Sequence, residues 1–303
     1  MFPGSRSIFS NIVSGAMEVA GAVPPTGLVV FPIFSVQLGA AIAKGLFDTL
    51  GPGGTVFLRI AFAAIMVLAL WRPELRGYAA RDYLLALFFG LALAGMNLSI
   101  YMAFDRIPLG IAVTLEFIGP LGVSIFGSRR VLDLLWAALA ATGILLLTPL
   151  GLLGNTDLDP VGVAFALVAG CLWACYILLS AGTGRAFPGM AGLAIALVGG
   201  TAALLPVGVA SAGISMLEPG LLLAGLAVAL LSSAIPYSLE LQALRRLPAC
   251  AFGVLMSLEP AVAALIGFVV LGEHLGPRAI AAVALVTLAA AGASRFGGNR
   301  PVD

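Results

Sequence analysis

Charge is what this chain has least of. Only 10% of its 303 residues are charged, where a soluble protein carries about a quarter. There is one lysine, Lys44, and one histidine, His274. A single lysine outside any glycine-rich phosphate loop excludes ATP hydrolysis by the chain itself. His274 has no cluster of ligating residues around it. Of the three cysteines, Cys171 and Cys175 are four apart, which is not the C-x-x-C of a metal or redox site. Both, like Cys250, stand in apolar stretches, where small packing residues are expected. There is no G-x-S-x-G, no metal-ligand cluster and no aspartate-rich pyrophosphate motif, so no cofactor is expected. An intramembrane enzyme would have only isolated carboxylates to work with. A net charge of +1 leaves no nucleic-acid footprint. No cleavable signal peptide is read in residues 1–27, whose short apolar runs are interrupted by Arg6, Glu18, Pro24 and Pro25. That stretch is expected to be a cytoplasmic tail with a short interfacial helix.

Apolar residues fill the space that charge leaves. They make up 61% of the chain, with a mean hydropathy of +1.13. The expected fold class is an all-α polytopic membrane protein. Ten transmembrane segments are expected near 28–47, 54–71, 82–104, 109–127, 132–149, 160–180, 189–210, 219–244, 248–271 and 277–294. The breaks between them hold turn chemistry: Asp48 to Gly54, Arg72 to Arg81, Asn155 to Pro160, and Gly182 to Pro188. No break is long enough for a soluble domain. Eleven basic residues fall on the side of the two tails and two, Arg106 and Arg278, on the other. By the positive-inside rule both termini are cytoplasmic.

One pattern occurs twice. Arg106-Ile107-Pro108 opens an apolar segment that carries Glu116 and then Pro120. Arg246-Leu247-Pro248 opens another that carries Glu259 and Pro260; the arginine and both prolines recur at an offset of 140 residues, and the glutamates are displaced from that register by three. A fainter match sets Leu50-Gly51-Pro52-Gly53 against Ala186-Phe187-Pro188-Gly189. The unit is five segments, 28–149 and 160–294, with a second tail at 295–303. Five is odd, so the second copy enters from the opposite side. Such inverted repeats are a plan of secondary transporters, with the site at the midplane between them.

The polar residues divide the segments. The first, third, fourth, sixth, eighth and ninth carry them in their middles, and the other four are almost bare. Polar groups cannot face lipid unsatisfied, so these six segments are expected to line a cavity and the others to support it. A charge at the centre of a span costs roughly 3 kcal/mol on insertion scales. Glu116 and Glu259 are therefore read as proton-titrating or ammonium-binding groups in the cavity. The alternative is a protonated glutamate hydrogen-bonded to a hydroxyl, or to a carbonyl freed by Pro120 or Pro260. Gln37, Asn97, Tyr101, Trp173, Tyr176, Tyr237 and Ser257 are the candidate walls, against ordinary interhelical packing. Gly162, Ala166 and Gly170 form a small-residue face for close helix packing. Lys44 is a candidate partner for a carboxylate, Glu116 included. Arg59, placed close to the outer end of its segment, is expected to snorkel to the headgroups. Glu240 is expected to pair with Arg245 or Arg246 at the rim.

The run from Pro108 to Leu121, with Ser128-Arg129-Arg130 after it, closely resembles the threonine and homoserine exporters of the drug/metabolite transporter superfamily. So do Ala43-Lys44-Gly45-Leu46-Phe47, Ile235-Pro236-Tyr237-Ser238-Leu239-Glu240, Ser257-Leu258-Glu259-Pro260 and Leu271-Gly272-Glu273. The resemblance spans nearly all of the chain past the first tail. It implies two EamA-type five-helix repeats and export of amino acids, and the YddG-type aromatic amino acid exporters share that architecture. The expectation is then an inner-membrane amino acid exporter, monomeric, working by alternating access, with protons as a candidate co-substrate. A lipid-modifying intramembrane enzyme built on Glu116 and Glu259, and a passive channel, stay open as alternatives.

Overall fold

The computed structural model describes residues 24, 26–71, 73–126, 131–147, 158–236, 239 and 255–296. Every regular element among them is helical. Five helices are long and apolar enough to cross a membrane, and five shorter apolar helical stretches accompany them. Their outward faces carry Phe31, Leu84, Phe88, Leu178, Leu223 and Phe268, all exposed. Such a belt would be anomalous in water and is ordinary against lipid. Cys171 and Cys175 belong to that exposed face, not to the packed interior expected for them; Cys250 lies outside the described residues.

The chain runs α1 (Gly27–Lys44), α2 (Phe47–Trp71), α3 (Ala80–Phe104), α4 (Leu109–Glu116), α5 (Ile118–Phe126), α6 (Val131–Leu147), α7 (Pro160–Ala186), α8 (Ala191–Ala212), α9 (Pro219–Ala229), α10 (Glu259–Leu271) and α11 (Pro277–Phe296). A π-helical turn, Leu230–Ala234, continues α9. Most expected ranges are recovered to within a few residues. The differences are informative.

The expected break between Asp48 and Gly54 is instead a kink inside α2. Gly51 holds φ 65° and ψ 166°, and Pro52 follows it. Only glycine takes that conformation at little cost, and the proline's missing N–H is harmless on the far side of a kink. Thr55 Oγ1 donates to the Gly51 carbonyl at 2.8 Å, one turn back. The chain then rises directly along α8, close enough that a Cβ on Gly54 would stand 2.7 Å from the Ala212 Cβ.

The interior mixes bulky residues with many alanines. The largest buried cluster includes Ala40, Ala43, Ala63, Ala94, Ala103, Ala112, Ala166, Ala169 and Ala194. Between helices in lipid there is no hydrophobic drive, so association relies on close backbone approach through small side chains. Accordingly α3 packs on α7 and α8, α2 on α8, α6 on α11, and α10 on α4 and α1. The expected small-residue face of α7 is where α4 and α5 cross it. A Cβ on Gly162 would stand 2.8 Å from Arg106 Cβ, and one on Gly170 would stand 2.7 Å from the Glu116 carbonyl oxygen. At the start of α7, Asp159 caps Val161 N–H at 2.9 Å and accepts from Arg106 Nη1 at 3.0 Å. The Arg106 hydrogen bond, helped by that cap, holds the Asp159 carboxyl below the usual carboxylate range.

Candidate functional site

The expected fourth segment is two helices. Pro120 has no N–H to return to the Glu116 carbonyl, and its ring crowds that oxygen. The ladder therefore opens there: α4 stops at Glu116, Phe117 turns, and α5 begins at Ile118. The ninth segment opens in the same way. Leu255 and Met256 are helical, Ser257 and Leu258 turn, and α10 starts at Glu259 with Pro260 in its first turn. Each glutamate stands at a broken helix end, but the ends differ. Glu259 sits at a helix N-terminus, where the helix dipole favours a carboxylate. Glu116 sits at a helix C-terminus, where exposed carbonyls favour a cation instead.

A cavity of about 370 Å³ lies between these breaks, within the range of small-molecule sites. Six of the expected residues line it: Gln37, Asn97, Glu116, Trp173, Tyr176 and Glu259. Gln37 Nε2 donates to Glu259 Oε1 at 3.1 Å. Its Oε1, on a side chain 2% exposed, has no hydrogen-bond partner among the described residues. That leaves an acceptor beside the two carboxylates. Asn97 Nδ2 is taken by its own helix, donating to Leu93 O at 2.9 Å. Trp173 stands edge-on to Phe117 at 5.6 Å, and Tyr176 tilts against Phe89 at 5.1 Å. The two aromatic pairs give the cavity a firm apolar wall.

Three expected site residues are elsewhere, and a fourth lies outside the described residues. Tyr101 is fully buried and does not line the cavity; its hydroxyl accepts from Arg59. Ser257 is buried in the turn before Glu259 and does not line it either. Tyr237 lies outside the described residues, as do Glu240, Arg245 and Arg246. Lys44 is not at the cavity and does not pair with Glu116. Its Nζ meets Glu273 Oε1 at 2.7 Å and reaches the Ile107 carbonyl at 3.4 Å. Pro108 before α4 has no capping side chain, and Glu273 supplies one from the α10–α11 connection: its Oε2 accepts the Leu109 N–H at 2.8 Å. Lys44 and Glu273 thus tie together the ends of α1, α4 and α10. Both are mostly shielded, so removing either charge strands the other. Lys44→Met and Glu273→Gln are each expected to lower stability by about 1–2 kcal/mol. The double variant should lose about 1 kcal/mol less than the sum. A thermal-unfolding cycle in detergent checks this, and simple additivity would contradict it.

Arg59 is the residue that sequence reasoning misplaced. Snorkelling was expected because its segment was taken to begin at Gly54. The helical run starts earlier, at Phe47, and kinks at Gly51, so Arg59 lies seven residues past Pro52, about 10 Å along the straight part. It is 9% exposed and lines the cavity. The signal was available in Pro52, which reads as a first-turn proline of a helix as readily as a breaker. The division of segments also shifts, since α2 contributes Arg59 and α11 contributes Ala290. The π turn after α9 serves the same region. Ser35 Oγ donates to the Leu231 carbonyl at 2.7 Å, and Arg59 Nη2 to the Ser232 carbonyl at 3.1 Å. Carbonyls displaced from an α ladder by a π turn are thereby satisfied from neighbouring helices.

Comparison with known proteins adds four findings. Residues 160–295 match the EamA-like transporter family. Over 270 residues the chain is 42% identical to the threonine/homoserine exporter RhtA of Salmonella typhimurium strain SL1344, an alignment covering 89% of this chain and 91% of that protein. It is 41% identical, with the same coverage, to the threonine/homoserine exporter RhtA of Escherichia coli strain K12. A solved crystal structure shares the fold with a TM-score of 0.58 at 18% identity, over 89% of this chain and 97% of that one.

Proposed function

This chain belongs to the EamA-like transporter family, and on that premise we propose that it exports threonine and homoserine across the inner membrane by alternating access. It is an amino acid export transporter and not an enzyme, as its relatives are exporters across nearly their whole length. The observation that carries the reading is the cavity at two proline-broken helices, with a glutamate at each break. Glu116, at the carbonyl end of α4, and Glu259 with the open Gln37 Oε1 suit an ammonium group. Asn97 borders the space left for a hydroxylated side chain, and Trp173 and Tyr176 limit its size.

The working architecture is ten spans in two inverted five-helix repeats, residues 28–149 and 160–294, acting as a monomer. It is supported by the matched breaks, since Phe117 and Ser257 are 140 residues apart, the same offset as Pro120 and Pro260. Both termini are cytoplasmic in this reading, as the arginine distribution supports. The test is purified protein in liposomes loaded with a panel of labelled amino acids, with and without a pH gradient. Threonine and homoserine should leave faster than leucine, phenylalanine or lysine. A rate that follows the gradient assigns proton coupling to the carboxylates. Efflux equal for all, or equal to empty liposomes, would overturn the proposal.

A further inference from the structure

Gln37 is held at its donor end. Nε2 donates to Glu259 Oε1 at 3.1 Å, while Oε1, on a side chain 2% exposed, has no partner among the described residues. A buried acceptor without a donor is unfavourable, and the pair has a second arrangement that supplies one. An amide carries a donor and an acceptor of nearly the same shape, and a half-turn about its last bond exchanges them. Beside an ionised Glu259, Nε2 must face the carboxylate, which turns Oε1 toward the cavity. Beside a protonated Glu259 the reverse holds: Oε1 accepts the carboxyl O–H and the NH2 turns toward the cavity. One hydrogen bond joins the two side chains in either form. Glu259 is thus suited to both protonation states, since its place at the start of α10 also favours the anion. Glu116 differs: it stands at the carbonyl end of α4, where a cation is favoured. Among the described residues, the charged groups on the elements packed against α10 are Glu116 on α4, Lys44 on α1, and Arg278 and Arg295 on α11. Lys44 is paired with Glu273. Of the four, Glu116 lines the cavity with Glu259, and Arg59 of α2 is the third charged group of the described lining.

We propose that Glu259 is the proton-binding site of the transporter, and that the Gln37 amide makes its proton and the substrate's ammonium mutually exclusive. This rests on the export reading above. With Glu259 ionised, Gln37 Oε1 accepts from the ammonium, and Glu116 balances its charge. When a proton from water on the outer side reaches Glu259, the amide turns. Its NH2 then meets the ammonium donor to donor, and the amino acid leaves outward. The proton passes to cytoplasmic water when the cavity next opens there, and the amide turns back for the next amino acid. Export of one amino acid is thereby exchanged for entry of one proton. The two carboxylates divide the work, Glu116 for the substrate and Glu259 for the proton.

The experiment measures threonine binding to the intact purified protein by calorimetry from about pH 5 to about pH 7.5, with proton release followed by a dye in weak buffer. Wild-type affinity should fall about tenfold per pH unit on the acid side, with about one proton released per threonine bound there. Glu259→Gln cannot titrate, and its amide oxygen still accepts from Gln37 Nε2. It should bind threonine on the order of 10-fold more weakly at the alkaline end, with an affinity that varies less than about twofold per pH unit and no proton release. Gln37→Leu has no amide to turn, and its slope should drop below about threefold per pH unit. A purely structural role for Gln37 would weaken binding equally at every pH. Wild-type proton release needs no variant, so a misfolded variant does not rescue the idea. Wild-type affinity that ignores pH, or a full slope retained in Glu259→Gln or Gln37→Leu, overturns the proposal. The export reading survives any of these if liposomes still export threonine. If they export none, both fail.

Discussion

Glu116→Gln is expected to lower threonine export on the order of 100-fold, which corresponds to about 2.7 kcal/mol. The substitution keeps size, shape and one accepting oxygen, and exchanges the other, charged oxygen for a neutral donating NH2. If Glu116 were a neutral group packed at the break, glutamine would replace it with little loss. Its setting argues otherwise. It is 8% exposed, lines the cavity, and stands at the carbonyl end of α4, where a cation is favoured over an anion. A carboxylate kept there without a positive guest is at a disadvantage, and an ammonium or a proton relieves it. The folded protein should be no less stable as the glutamine variant, because removing a shielded charge also removes its desolvation cost. Initial efflux rates from liposomes, read beside thermal unfolding in detergent, separate the two effects. A Gln variant that exports at the wild-type rate would make Glu116 a packing residue.

The second large effect concerns Gly170. Its Cβ, if present, would lie 2.7 Å from the Glu116 carbonyl oxygen, and one on Gly119 would run into the Gly170 carbonyl. The two glycines let α7 pass against the break itself. Backbone cannot move aside as a side-chain tip can. Gly170→Ala is expected to cost about 1–3 kcal/mol, and Gly170→Leu to leave neither stable protein nor export. Gly122, in α5, has open space around its would-be Cβ, so Gly122→Ala should be neutral or slightly stabilising. Comparing the unfolding midpoints of the two alanine variants tests the crossing. Equal midpoints would mean that α7 does not depend on that close approach.

Much of this arrangement was legible in the sequence. Apolar length gave the helices, and paired polar residues picked out Gln37, Asn97, Trp173 and Tyr176 for one cavity. The sequence pointed to carbonyls freed by Pro120 and Pro260 but drew each segment as one continuous helix, so the breaks themselves came from the structure. What the sequence hid was non-local. Lys44 and Glu273 are 229 residues apart, and no spacing rule connects them. Arg59 was misjudged through one boundary: Asp48 to Gly54 was read as a break between segments, where the chain is helical on both sides of a kink at Gly51. Tyr101 was taken for a wall because it lies four residues from Asn97 on the same helix. Its fully buried hydroxyl shows that sharing a helix face at that spacing does not mean sharing a cavity.

The central claim is that one cavity, holding Glu116, Glu259 and Arg59, carries amino acids across by opening to each side in turn. Counterflow tests it most directly. Liposomes containing the protein are loaded with unlabelled threonine and diluted into a trace of labelled threonine. The account predicts a transient accumulation of label above equilibrium in the wild type, reduced by roughly two orders of magnitude in Glu116→Gln. Label that only equilibrates, unaffected by threonine inside, would contradict it and point to a passive pore.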